Sequence, residues 1–140
     1  MDADHKRPAN ATNAEVAAAG KVSEALEYVE RVRGHFYELH QLIGHADQLF
    51  SEGADLLEQA GHAELAHHAR EDVVGRNLLH GRWSFQIIEE FDAGYWASAH
   101  ALETRVRGEL MHGRRHVYEA EMKEIRRTHG RHGHESTPQE

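Results

Sequence analysis

Two tetrapeptides carry the sharpest chemical signal in the sequence, Glu64-x-x-His67 and Glu109-x-x-His112. On a helix, residues three apart stand one turn apart on the same face. A carboxylate and an imidazole placed that way suit two ligands of one metal ion. Flanking residues extend both pairs: Glu71 joins Glu64 and His67, and His116 joins Glu109 and His112. Mixed carboxylate and imidazole donors suit zinc or iron, whereas calcium and magnesium favour all-oxygen shells. A looser run of the same ligand type, His129-x-x-His132-x-His134, lies near the end of the chain. Cysteine is absent, which excludes disulfides, thiolate ligands and cysteine nucleophiles. None of the five serines stands in a Gly-x-Ser-x-Gly elbow, and no phosphate-cradling glycine motif occurs. The chain therefore carries no signature of an enzyme.

The elements that would have to position those ligands are helical. The prolines, Pro8 and Pro138, leave the whole chain between them free of proline, which disfavours a turn-rich β fold. Residues 1–11 are polar and without period, so a flexible tail is expected there. Thr12-Asn13-Ala14-Glu15 then reads as a capping box. A long helical pattern follows to about residue 60. A seven-residue spacing picks out Val22, Val29, Phe36, Ile43, Phe50 and Leu57, with companions at Ala25, Val32, Leu39, Ala46, Gly53 and Ala60. Repeated six times, this is a coiled-coil-like seam. Gly34, Gly44 and Gly53 weaken the helix and mark places where it could kink. His40, Gly44 and Asp47 form a polar line at the seam's edge, a position where polar groups can set register.

Gly61 suits the left-handed residue that ends this helix. A second helix opens at His62, with Leu65, Ala66, Ala69 and Val73 as its apolar stripe, and His80-Gly81-Arg82 reads as a break. Ser84 would cap a short helix from Phe85 to Phe91. Trp83, Phe85, Ile87, Ile88 and Phe91 make this the densest apolar cluster, expected to serve core and interface. The alternative there is a ligand pocket roofed by Trp83 and Trp96, with Glu89 or Glu90 as polar contacts. Asp92-Ala93-Gly94 reads as a turn. A last helix runs from Tyr95 to about Thr128, and residues 129–140 read as a flexible, histidine-containing tail.

The expected fold is thus an all-α antiparallel helical bundle over residues 12–128, with one long N-terminal helix whose seam outruns its partners. That seam predicts a homo-oligomer. In its two Glu-x-x-His pairs the chain resembles the ferritin-like carboxylate bundles, and the resemblance implies an iron-holding core between helices. The helix faces narrow this expectation. At about 100° per residue, Glu64, His67 and Glu71 lie nearly opposite the stripe of their own helix. Glu109, His112 and His116 flank the stripe through Val106 and Val117. The metal site expected from the sequence is therefore Glu109, His112 and His116, with Glu71, and more weakly His67, brought alongside by the turn at Gly94.

Charge bounds the partners. The chain carries −8 at neutral pH and 14 histidines, so full histidine protonation would bring it to −8 + 14 = +6. An acidic chain, whose arginines in the last third are interrupted by glutamates, is a poor match for nucleic acid. No run of 18 apolar residues exists to span a membrane, and the polar start does not read as a signal peptide, so a cytoplasmic location is expected. The function expected is association, as a homo-oligomer or with a protein partner. The alternative is a helical bundle that binds zinc or iron.

Overall fold

The computed structural model describes residues 1–137, and every described element is helical. The elements are α1 (Asn13–Gln59), α2 (Ala63–Asp72), α3 (Ser84–Phe91), a π-helical turn (Asp92–Trp96), α4 (Ala97–Met111) and α5 (Val117–Arg126). The chain divides into two compact units. One combines Met1–Glu30 with the chain from Ala97 onward, and the other is Arg31–Trp96.

α1 begins and ends where its terminal residues dictate. The Glu15 carboxylate accepts the Thr12 N–H at 2.7 Å, and Thr12 Oγ1 accepts the Glu15 N–H at 3.1 Å. This reciprocal pair satisfies two N–H groups that the helix itself cannot bond. At the other end Gly61 adopts φ 87°. The His62 N–H then reaches back to the Leu57 carbonyl at 2.9 Å, closing the helix. The four interior glycines, Gly20, Gly34, Gly44 and Gly53, do not interrupt it.

In the first unit, Val16 and Ala19 of α1 pack with Met111 and Val117, and Ala11, Val106 and Leu110 lean on this core. Part of the first eleven residues is held against this unit, with Ala11 leaning on the core. Pro8 is buried, and Arg7 forks onto Glu121 through Nε at 2.5 Å and Nη2 at 2.7 Å. Ser23 Oγ and Arg107 Nε both donate to the nearly buried Glu103, at 3.1 and 3.0 Å. Residues 129–137 of the expected C-terminal tail are placed in turns, and 138–140 lie outside the described residues.

The single last helix expected from Tyr95 to Thr128 is two helices. The chain leaves α4 through His112 and Gly113, at φ 52° and 79°, and enters α5 through His116 at φ 55°. Three left-handed residues within five cannot continue a right-handed helix. The Gly113 N–H closes α4 on the Arg107 carbonyl at 3.0 Å, and Arg107 Nη1 donates to the Gly113 carbonyl at 2.8 Å.

The turn expected at Asp92-Ala93-Gly94 is also corrected. Those residues continue the helical path as part of the π turn between α3 and α4. Such a turn holds one residue more per repeat than an α turn and rotates the side chains that follow. Here it aims both Asp92 and Trp96 at one guanidinium. Arg33 Nε and Nη2 donate to the two carboxylate oxygens of Asp92 at 2.8 and 3.1 Å, and its Cζ stands 4.5 Å from the Trp96 ring centroid. Phe91 packs on Phe36 with ring centroids 4.7 Å apart.

Candidate interaction surface

The sequence-derived ligands are dispersed by these breaks. Glu109 stands on α4 and pairs with Arg105 at 2.7 Å. His112 and His116 lie in the connection beyond it, each in a left-handed conformation, so the three do not share one helix. Glu71 and His67 belong to α2 in the other unit. The turn at Gly94 that was to bring Glu71 alongside is absent. All five side chains are exposed. Among the described residues, no three of His, Cys, Asp or Glu are gathered so that they could hold a metal ion.

The second unit holds a cleft of about 1060 Å³ whose lining includes His40, Asp47, Gly75, His80, Trp83 and Ser84. Its polar groups serve the fold. His40 Nδ1 and Ser84 Oγ, 2.7 Å apart, tie the first turn of α3 to α1. Asp47 accepts the Gly75 N–H at 2.8 Å and holds the loop after α2. Trp83 lines the cleft, but Trp96 covers Arg33 instead of roofing it, and Glu90 pairs with Arg82.

Those contacts correct the seam. Of the main line, Val22, Val29, Phe36, Ile43 and Leu57 are partly covered by their own chain, whereas Phe50 is 51% exposed. The line's consistently covered neighbours lie four residues on: Leu26, Arg33, His40, Asp47 and Ala54. Of the companions assigned three residues on, Ala46 and Gly53 are partly covered, but Ala25, Val32, Leu39 and Ala60 are exposed. Val32 is 46% exposed and Leu39 37%. Together with His35, Leu42 at 61%, Leu49 at 52% and Leu56 at 64%, they form a second heptad line, about 110° around α1 from the first. One helix thus carries two seams. The inner one is covered by its own unit, and the outer one meets solvent.

At its far end the outer seam opens into an apolar groove of about 400 Å³. Ala46, Gly53 and Ala54 of α1 and Ala69 of α2 are its small residues, and Leu49, Phe50 and Leu57 its large ones. Gly53 has no atom of the chain near the place a Cβ would occupy. Against this open face, the hydrophobic residues buried in the second unit are Ala54, Ala66 and Ile88.

Sequence reasoning found Val32 and Leu39 of the outer seam but assigned them to the inner one, and it missed Leu42, Leu49 and Leu56. It missed the Arg33, Asp92 and Trp96 cluster. A charged residue on the heptad line at Arg33, and a tryptophan close behind an aspartate, were the available signals. No protein-family model, curated protein or solved structure matches the chain.

Proposed function

We propose that this protein works by association, and that the outer seam of α1 is the surface through which it does so, receiving an amphipathic helix from another molecule. One observation carries the reading: Val32, Leu39, Leu42, Leu49 and Leu56 repeat at heptad spacing on one helix and stand 37–64% exposed. Scattered exposed leucines are ordinary, but a contiguous apolar line at coiled-coil spacing marks a helix-binding face. The groove beside Gly53 supports the same reading, since small residues let a second backbone approach closely. Helices of the chain itself occupy the inner seam and leave the outer one open. Association, through a copy of the chain or a different protein, would cover it.

The test is a photo-crosslinking amino acid placed at Leu42 in the full chain, expressed in its native cells. A discrete adduct is expected, lost when Leu49→Asp places an unpaired carboxylate in the seam. Absence of any adduct, with seam amides exchanging hydrogen no more slowly than the opposite face of α1, would overturn the reading.

A further inference from the structure

The packing of the outer seam identifies its occupant. Resting on the association reading above, we infer that α1 pairs with α1 of a second copy of this chain, antiparallel, with Leu42 seated on the partner copy's Gly53 and Leu49 on its Ala46.

Residue size decides the direction. The seam has two lines. One is Val32, Leu39, Ala46, Gly53 and Ala60, which shrinks toward its end; the other is His35, Leu42, Leu49 and Leu56, which stays large. A parallel, in-register pair stacks each line on itself, setting Gly53 on Gly53 and Ala46 on Ala46 and leaving voids. An antiparallel pair sets each line against the other, so Ala46 and Gly53 each meet a leucine, and Ala60, past the end of α1, meets His35. The groove has the matching form. Ala46 and Gly53 lie seven residues apart in it, the same separation as Leu42 and Leu49, so two leucines of one copy reach both.

Charge decides the register. In the inferred pairing the flanking residues meet as His45 with Glu52 and Glu38 with Gln59, with no like charges opposed. Sliding one heptad in one direction sets Glu38 against Glu52, and in the other direction Glu52 against Glu52. Like charges placed opposite each other destabilise a helix pair. Sliding two heptads toward the N-terminus brings His35 and Tyr28 onto the apolar groove in place of leucines, which strips the imidazole of water without a partner.

The area suffices. From the fractional exposures of Leu39, Leu42, Leu49, Phe50 and Leu56, each copy presents roughly 500 Å² of apolar surface to the partner's α1. Two copies then bury about 1,000 Å², the lower bound for a specific interface.

The absence of cysteine allows a direct test, since an introduced thiol has no native competitor. The purified full chain is expected to be dimeric by light scattering at tens of micromolar. With Leu42→Cys and Gly53→Cys chains, each alone is expected to give no cross-linked dimer under mild oxidation, and the mixture to give one. Gly53→Leu fills the groove and is expected to raise the dissociation constant about tenfold or more, with the helical circular dichroism unchanged. Cross-linking of Leu42→Cys with itself would show a parallel pair and overturn the inference while leaving the association reading intact. A monomer at hundreds of micromolar would also overturn it. In that case a photo-adduct to a different protein keeps the association reading, and no adduct removes both.

Discussion

Arg33 occupies a heptad position that would ordinarily hold an apolar side chain, and the fold accepts it because every face of the guanidinium has a use. Asp92 takes two of its N–H groups and Trp96 covers its plane. Both partners come from the π turn, so the irregular turn and the misplaced charge explain one another. The Arg33 hydrogen bonds hold the Asp92 carboxyl below its ordinary range, against a smaller opposing effect of desolvation. A carboxyl depressed in this way contributes stability above its unfolded pKa of about 4 and loses it as pH falls through the native value. Asp92→Asn is therefore expected to lower the melting temperature by a few degrees at pH 7. The gap to wild type should narrow steadily below about pH 4. Thermal melts of both proteins from pH 7 to pH 2.5 check this, and a gap that persists unchanged into acid would show that the ion pair contributes nothing.

At the scale of elements, the glycines of α1 divide into those that pack and those that do not. A Cβ on Gly20 would stand 2.8 Å from Cβ of Tyr118 and 2.9 Å from its Cγ, so α5 approaches α1 there only because the side chain is missing. Gly34 and Gly44 have open space. Alanine gains about 0.5–1 kcal/mol over glycine inside a helix. Gly34→Ala and Gly44→Ala are expected to raise stability by about that much each. Gly20→Ala is expected to lower it by about 1–3 kcal/mol, the usual range for overpacking. Chemical denaturation of the three variants measures both signs.

The ends of α1 were legible in the sequence because Thr12, Glu15 and Gly61 act locally, through hydrogen bonds and a backbone angle each residue favours by itself. The inner and outer seams were not separable there. Neighbours three and four residues along are equally compatible with a heptad, and the line that faces the core is disguised by Arg33, His40 and Asp47. Only their partners, Asp92, Ser84 and the Gly75 N–H, show why polar residues belong inside. The break between α4 and α5 was hidden for a related reason. Two of its three left-handed residues are histidines, whose tendency toward that backbone is far weaker than glycine's, and Gly113 alone was too weak a signal. The expected ligand set of Glu109, His112 and His116 depended on a continuity that those residues end.

For the molecule as a whole, association must overcome charge. Each copy carries −8 at neutral pH, and bringing two together costs free energy that salt screens. Dimerisation at pH 7.5 is therefore expected to strengthen as salt rises from about 20 to 300 mM. The salt effect should fade near pH 6, close to the isoelectric point of about 5.9. Sedimentation equilibrium across that grid tests it. Weakening with salt at pH 7.5 would mean that charge attraction across the interface, rather than apolar contact, dominates it.

The discontinuity of the first unit bears on the order in which the protein is made. Its core joins Val16 and Ala19 to Met111 and Val117, and the whole of the second unit, Arg31–Trp96, lies between them in the chain. Synthesis at about 5–20 residues per second spends roughly 3–13 s on that intervening stretch. Helices form in microseconds and small helical units in far less than a second. The second unit is thus complete, and has had time to fold, before the first can close. Until the ribosome reaches Val117, the beginning of α1 stands without the neighbours that will bury it.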